Sequence, residues 1–240
     1  MATKVQMLLA QIAAQEKKLA EQEETIARQL AKERERDRRN RGLIERIKDL
    51  ERRVETHHLT GLYNKTAFET RVTEFIAQIG RYRAHPSLKR KSDASGAPYG
   101  VFVLFDLNEF KFVNDIIGHV AGDEILIRIA QFLKYRFKHD PRDIVGHLGG
   151  DEFALLLNSI DVGTARMIVD RDVQTAIRNV KPSEIDMAQF AKRMKRDYVV
   201  DASYGLVLVD NPDLNFASLM NLAENKMPKL GERRKEYKGK

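Results

Sequence analysis

Three carboxylates of this sequence are candidates for one site, and the first, Asp106, stands at the end of an apolar strand where a core position would not tolerate an unpaired charge. Asp106 closes the apolar run Gly100-Val-Phe-Val-Leu-Phe-Asp106, and Asp151 and Glu152 follow the glycine pair Gly149-Gly150. A glycine pair lets the backbone turn tightly and approach a ligand closely. If the hairpin around the glycines lies beside the Asp106 strand, the three carboxylates converge at one edge of a sheet.

Converging carboxylates repel one another unless a cation neutralises them. Their oxygen atoms favour Mg²⁺ that is held jointly with the phosphates of a substrate. Such a constellation is typical of metal-assisted phosphoryl or nucleotidyl transfer. A solvated strand end explains any one of the three acids, but it explains less well all three with the residues around them.

Those surrounding residues form recognisable motifs. The segments Asp106-Leu-Asn-Glu-Phe-Lys-Phe-Val-Asn114-Asp-Ile-Ile-Gly-His119-Val-Ala-Gly-Asp123 and His147-Leu-Gly-Gly-Asp-Glu-Phe153 resemble the two signatures of the GGDEF family of diguanylate cyclases. Leu59-Thr-Gly-Leu-Tyr-Asn64-Lys65 resembles the domain-opening motif of that family. The resemblance covers about Leu59–Gly231 and is far more specific than a lone Gly-Gly-Asp-Glu-Phe would be.

The resemblance implies a fold and an activity. The fold is α+β, a palm-like sandwich with a ferredoxin-like βαββαβ core, in which helices flank a mostly antiparallel sheet. Each domain would hold one GTP, and two domains would meet face to face. Each 3′-hydroxyl would attack the α-phosphate of the other GTP, which yields cyclic di-GMP and pyrophosphate.

The resemblance also assigns roles to the acidic residues. Asp106 and Asp151 would bind Mg²⁺, with Mn²⁺ as the alternative, helped by the Leu107 carbonyl. Glu152 would assist the metal ions or activate the 3′-hydroxyl. The sequence is therefore expected to hold a metal-dependent nucleotidyltransferase site.

Three further residues would bind the substrate. By the same resemblance, Lys111 would contact phosphate, and Asn114 and Asp123 would hydrogen-bond guanine. An ionised carboxylate accepts hydrogen bonds from the N1–H and N2–H₂ edge of guanine, which adenine does not offer. A polar site that the wrong base leaves unpaired discriminates strongly, so GTP is expected over ATP. The alternatives are helix capping for Asn114 and a solvated side chain for Lys111, and His119 is interpreted as structural.

The sequence departs from the family pattern at several positions. His147 stands where the family has arginine two residues before the Gly-Gly, and His57 stands where it has the opening aspartate. In the last helix, the phosphate-binding lysine and arginine are missing from their aligned positions. Lys229 and Arg233 keep the same four-residue spacing and are candidates to replace them after a kink at Pro228.

The inhibitory product site of the family is also altered. That site is an Arg-x-x-Asp motif placed five residues ahead of the Gly-Gly. Asp140-Pro-Arg-Asp143 lacks the arginine at its position, and Arg142 is at the wrong distance. The sequence therefore predicts weak or absent feedback through this site.

Composition limits the classes of function. The 240 residues contain no cysteine, which excludes disulfides and thiolate chemistry and suits a cytoplasmic protein. No run approaches the roughly 18 apolar residues of a membrane span, so no membrane partner is expected. The net charge of +7 is concentrated in Arg34–Arg41 and Lys226–Lys240, which favours solvated helix surface and tail over nucleic-acid binding.

Residues 1–57 are expected to form a helical segment ahead of a GGDEF domain at residues 58–240. Eight of fourteen heptad core positions between Leu9 and Val54 are apolar, which favours a coiled coil and a homodimer. Gly42 is expected to break or bend the helix. A helical hairpin within one chain is the alternative.

The catalytic part of the chain is expected to mix helices with short strands. Arg81–Pro98 is predicted as a surface loop and Pro182–Arg196 as a helical insertion. The hydrophobic pattern predicts helices over 66–80, 114–138 and 162–180 and from residue 216 onward, and strands over 100–106, 144–148, 152–157 and 198–209.

Two other functions remain open. A degenerate GGDEF domain would bind GTP or a partner protein without turnover, which the altered last helix favours and the intact carboxylates disfavour. A coiled-coil adaptor would recruit protein or nucleic acid through its basic surfaces, and DNA binding at physiological salt would identify it.

Overall fold

A single helix, α1, spans Ala2–Glu55 in the computed structural model, which describes residues 2–85, 98–180 and 199–228. The break expected at Gly42 is wrong, because α1 runs through this residue; glycine costs about 1 kcal/mol in a helix but leaves its hydrogen bonds intact. The hairpin alternative is excluded with it. The chain divides into two compact units, residues 1–54 and 55–240.

The second unit is built on one antiparallel sheet. Its strands are β1 (Gly100–Leu107), β2 (Ile144–Gly149), β3 (Glu152–Asn158) and β4 (Ala202–Val209), in the order β2-β3-β1-β4. The apolar run of β1 is central and buried on both faces. Val103 and Phe105 contribute to one hydrophobic cluster, and Phe102 and Leu104 contribute to the other, as the two-residue period of a strand requires.

Helices cover both faces of the sheet. They are α2 (Lys65–Ala84), α3 (Phe110–Ile117), α4 (His119–Arg136), α5 (Val162–Ile168), α6 (Gln174–Arg178) and α7 (Phe216–Lys226), with a π-helical turn at Val169–Val173 between α5 and α6. Residues of α3 to α6 share the core on one face, and residues of α2 and α7 share the core on the other. This arrangement confirms the predicted α+β sandwich.

Several predicted boundaries need correction. The single helix expected over residues 114–138 is two helices, because Gly118 separates α3 from α4 with a φ of +93° that favours glycine. The loop expected from Arg81 begins later, since α2 continues to Ala84. The remainder of that loop and the insertion Pro182–Arg196 lie outside the described residues.

Candidate active site

The ends of β1 and β3 bring the predicted carboxylates to one end of the sheet. Asp106 pairs with Glu152 across the two strands and with Ser203 on its other side. The Leu107 amide donates a hydrogen bond to the Asp151 carbonyl over 3.2 Å, which closes the turn against β1. Asp106, Asp151 and Glu152 are all half-buried.

The turn that carries Asp151 depends on its two glycines. Gly149 has a φ of +140° and Gly150 a φ of +57°, both in the region that side chains disfavour. The pairing of β2 with β3 shifts register between His147 and Gly149. The glycine pair therefore allows the sharp reversal that presents Asp151 and Glu152 beside β1.

Negative charge accumulates at Glu152. Burial is the main cause that raises the pKa of this carboxyl, followed by the neighbouring charges of Asp151 and Glu224, while Lys65 opposes the rise. Sequence reasoning assigned no role to Lys65 or Glu224, although Lys65 closes the domain-opening motif. The negative charges of Asp151 and Glu224, which contribute to this rise, would also favour a bound cation.

The donor set fits a hard divalent cation. Carboxylate and backbone carbonyl oxygens are the ligands that Mg²⁺ prefers. Among the described residues, no three side chains of the histidine, cysteine, aspartate or glutamate type are gathered closely enough to hold a metal ion. The residue types fit a metal ion and Asp106 lies directly opposite Glu152, but the described side chains are not drawn together around one point.

A second polar position lies between α3 and α4. Asn114 is half-buried, and its Oδ1 atom is buried without a hydrogen-bond partner. Gly122 leaves room for this amide, because a Cβ at Gly122 would lie 1.9 Å from Oδ1. An unpaired buried acceptor costs about 1–3 kcal/mol, so a ligand that donates a hydrogen bond here would be favoured.

The capping alternative for Asn114 is wrong. Glu109 caps α3 and Gly118 caps α4, and Asn114 lies inside α3. Asp123 is exposed on α4, one residue after Gly122, and Lys111 is exposed in the first turn of α3. Both positions are open to a ligand.

The sequence predicts two phosphate-binding residues after the last helix. Lys229 and Arg233 lie outside the described residues. The helix that precedes them, α7, ends at Lys226, whose amine donates to the Leu206 carbonyl over 3.1 Å.

A polar chain that the sequence did not predict ties β1 to β4. The Ser203 hydroxyl donates to Asn108 Oδ1 over 2.5 Å, and the Asn108 amide donates to Asp201 over 3.3 Å. Arg178 contacts Asp201 at 3.1 Å. Ser203 is also the strand partner of Asp106, so this series of hydrogen-bonded side chains supports the end of β1 that carries the first carboxylate.

The residues of the altered inhibitory motif make hydrogen bonds with one another and with β3. Arg142 donates to both carboxylate oxygens of Asp140, at 3.0 and 2.8 Å. Asp143 accepts a hydrogen bond from the backbone amide of Asn158 at 2.8 Å.

Among the described residues, no helix is long and apolar enough to cross a membrane.

Comparisons with known proteins agree with the resemblance found in the sequence. Residues 55–236 match the family model of the diguanylate cyclase GGDEF domain. The chain is 27% identical over 167 residues to diguanylate cyclase DgcP of Pseudomonas aeruginosa, an alignment that covers 64% of this chain and 22% of DgcP. It is 30% identical over 166 residues to the probable diguanylate cyclase DgcE of Escherichia coli, covering 69% of this chain and 13% of DgcE. The chain therefore spans less than a quarter of these relatives.

Solved structures share the fold. The diguanylate cyclase SiaD of Pseudomonas aeruginosa, crystallised in complex with its activator SiaC, superposes with a TM-score of 0.63 at 24% identity, over 94% of this chain and 76% of SiaD. The coiled coil and GGDEF domain of DgcB from Caulobacter crescentus, in complex with c-di-GMP, gives 0.60 at 18% identity, over 81% and 90%. With a family model that matches more than half of its length, the chain belongs to the GGDEF family of diguanylate cyclase domains.

Proposed function

We propose that this chain is a diguanylate cyclase that condenses two GTP molecules into cyclic di-GMP and releases pyrophosphate. The observation that carries the proposal is the pairing of Asp106 with Glu152, next to Asp151 on a two-glycine turn. The buried, unpaired Asn114 amide oxygen supports it with a place for a hydrogen-bonding base.

The acidic end of the sheet would receive the triphosphate. Asp106, Asp151 and the Leu107 carbonyl would hold Mg²⁺ or Mn²⁺, which would neutralise phosphate charge. The raised pKa of Glu152 suits a group that accepts the proton of the 3′-hydroxyl. The 3′-oxygen then bonds to the α-phosphorus of the other GTP, and the bond from that phosphorus to the pyrophosphate oxygen breaks.

Guanine would lie between α3 and α4. Asp123 would accept from N1–H and N2–H₂, and Asn114 would hydrogen-bond the same base. Adenine would leave these groups unpaired, which disfavours ATP. Lys111 would contact phosphate, and Lys229 with Arg233 would complete the phosphate contacts.

Each domain would bind only one of the two GTP molecules, so the reaction requires a second copy of the domain. On α1, the heptad core residues Ile44, Ile47 and Val54 expose 51%, 54% and 76% of their surface. Pairing of two α1 helices would bury these residues and raise the effective concentration of two catalytic domains. Replacing Ile44 and Ile47 with aspartate should give a monomer with a much lower rate at equal protein concentration. An undiminished rate in that monomer would contradict this part of the proposal.

The test is product formation from GTP. Purified protein is incubated with GTP and Mg²⁺, and cyclic di-GMP is separated by chromatography. Glu152→Gln should abolish the product, because it keeps the size of the side chain but removes the proton acceptor. Glu69→Gln is the matched control, since Glu69 is an exposed glutamate on α2.

The second candidate is a GTP-binding module without turnover. It is favoured by the end of α7 at Lys226, ahead of the positions at which the family carries its phosphate ligands. GTP binding measured by calorimetry, together with no product at high protein concentration, would select it. Product that depends on Glu152 would reject it.

A further inference from the structure

The two histidines that replace family residues are in contact. The His57 and His147 rings lie 3.9 Å apart between centroids, although ninety residues separate them in the chain. His58 stacks on His57 at 4.7 Å, and His147 stacks on Phe153 at 4.5 Å with an angle of 11°. Four rings therefore form a continuous row, which we call the histidine row (His58, His57, His147 and Phe153).

The partners of His147 determine its protonation. One ring nitrogen, Nε2, lies 3.0 Å from the Gly150 carbonyl, which can only accept, so Nε2 must carry a proton and donate. The other, Nδ1, lies 3.2 Å from the Thr60 hydroxyl, which can donate to it. Both nitrogens are satisfied in the neutral Nε2–H tautomer, and His147 is 1% exposed.

His57 is held in the same form. The Leu59 amide points to its Nδ1 at 3.4 Å, so this nitrogen accepts and cannot carry a proton. Burial is the main cause that lowers the pKa of His57, and His58 adds to it; burial likewise lowers the pKa of His147 to about 4. Protonation of both rings would place two cations in contact, one of them on the buried His147.

Among the described residues, no acidic group contributes to the pKa of His147. The segment after α1 contributes His57 and His58, both of which oppose protonation of His147, and β3 contributes the apolar Phe153. From α2, Arg71 is paired with Glu55 at 3.0 Å. The turn contributes the Gly150 carbonyl. Neutral rings at His57 and His147 are therefore consistent with the described elements that pack around them.

The row links the start of the domain to the turn. The backbone of Tyr63 bonds to β2, donating to Val145 over 3.2 Å and accepting from His147 over 2.9 Å. Asn64 donates to the Glu55 carbonyl at the end of α1 over 2.8 Å. The segment between α1 and α2 is thus bonded to the strand that leads into Gly150.

We propose that His147 is a positioning residue that holds the Gly150 carbonyl as a neutral imidazole, and that His57 supports it through the contact between their rings. The two departures from the family pattern then form one compensated pair, which fixes the turn that carries Asp151 and Glu152. For its effect on catalysis, this inference rests on the proposed function. The hydrogen bond and stacking are testable without it.

The first experiment measures the tautomer. Nitrogen-15 and proton NMR of the full-length protein at neutral pH should show His147 neutral, with its proton on Nε2; the signal is assigned by its loss in His147→Gln. A protonated ring, or a proton on Nδ1, overturns the inference even if the protein is an active cyclase. This result stands whether or not GTP is converted.

The second experiment measures kcat and KM for GTP. His147→Phe keeps the ring but removes the donor to Gly150, so kcat should fall about tenfold with KM nearly unchanged, as expected for one lost buried hydrogen bond. His147→Gln should recover most of kcat, because its amide can donate to the same carbonyl. Equal kcat in wild type and His147→Phe overturns the positioning role.

The third experiment tests compensation. His147→Arg alone should impair kcat, because it places a cation at a buried position beside His57 without an anion to pair with it. Adding His57→Asp supplies the matching anion and should restore kcat at least several-fold. A double variant no better than His147→Arg overturns the pairing, as does a fully active His147→Arg.

Discussion

Acidification should destabilise the second unit through His147. The pKa of this ring is lowered from 6.5 to about 4 by burial, so the folded protein binds a proton there less readily than the unfolded chain does. The neutral ring therefore stabilises the fold fully above pH 6.5, and this contribution is lost as the pH falls through about 4.

The size of the effect follows from the pKa difference. At about 1.4 kcal/mol for each pKa unit, lowering the pKa from 6.5 to about 4 corresponds to about 3 kcal/mol of unfolding free energy. That is a large fraction of the roughly 5–15 kcal/mol by which a domain is stable. The effect should be specific to His147, because His147→Phe keeps an aromatic ring in the row without a titrating group.

The assay is urea unfolding over a series of pH values from above 6.5 down to about 4. All seven tyrosines and all eleven phenylalanines lie after residue 62 and the chain has no tryptophan, so tyrosine fluorescence reports on the second unit alone. The free energy of wild type minus that of His147→Phe should fall by about 3 kcal/mol on acidification. Other titrating groups contribute to both proteins and largely cancel. A difference that does not change with pH would refute the burial argument.

Three further predictions concern the site. Gly122→Ala should weaken GTP binding at least tenfold by calorimetry, because the new methyl group would lie 1.9 Å from Asn114 Oδ1; unchanged affinity would contradict a base site there. Glu224→Gln should lower the pKa of Glu152 in the metal-free protein by removing one of the charges that raises it, as carbon-13 NMR would detect; an unmoved pKa would contradict the coupling. Gly150→Ala should lower the unfolding free energy by about 1–2 kcal/mol, because φ is +57° and no neighbouring atom lies within 4 Å of the added Cβ, whereas a larger loss would indicate a clash.

The carboxylate end of the sheet could be predicted because its signals are local. An apolar run that ends at Asp106 predicts a buried strand, and the Gly-Gly before Asp151 predicts a hairpin. Once the hairpin strand pairs antiparallel with β1, Asp106 and Glu152 fall opposite each other without any further information. The division at Gly118 was missed because apolar residues continue on both sides, and only its left-handed backbone separates α3 from α4.

Contacts between segments that are distant in the sequence could not be predicted from local signals. Burial raises the pKa of Glu152, and the two smaller influences of Glu224, which adds to the rise, and Lys65, which opposes it, come from α7 and the start of α2. These two residues come near Glu152 only when both helices cover the same face of the sheet. The chain from Ser203 through Asn108 to Asp201 likewise needs β4 to pair with β1. Each of these residues alone has an ordinary polar surface character in the sequence.

The histidine row illustrates why two departures from a pattern should be weighed together. Taken singly, His57 and His147 each weaken the resemblance to the family and favour a degenerate domain. In the structure their rings lie 3.9 Å apart, and the Nε2 atom of His147 is bonded to the turn that presents Asp151. If replacing both residues preserves a link that replacing one breaks, as the compensation experiment tests, the pair supports retention of the turn geometry. A buried imidazole needs partners for both nitrogens whether or not the domain converts substrate, so the row supports the geometry of the turn and the kcat measurements decide its role in catalysis.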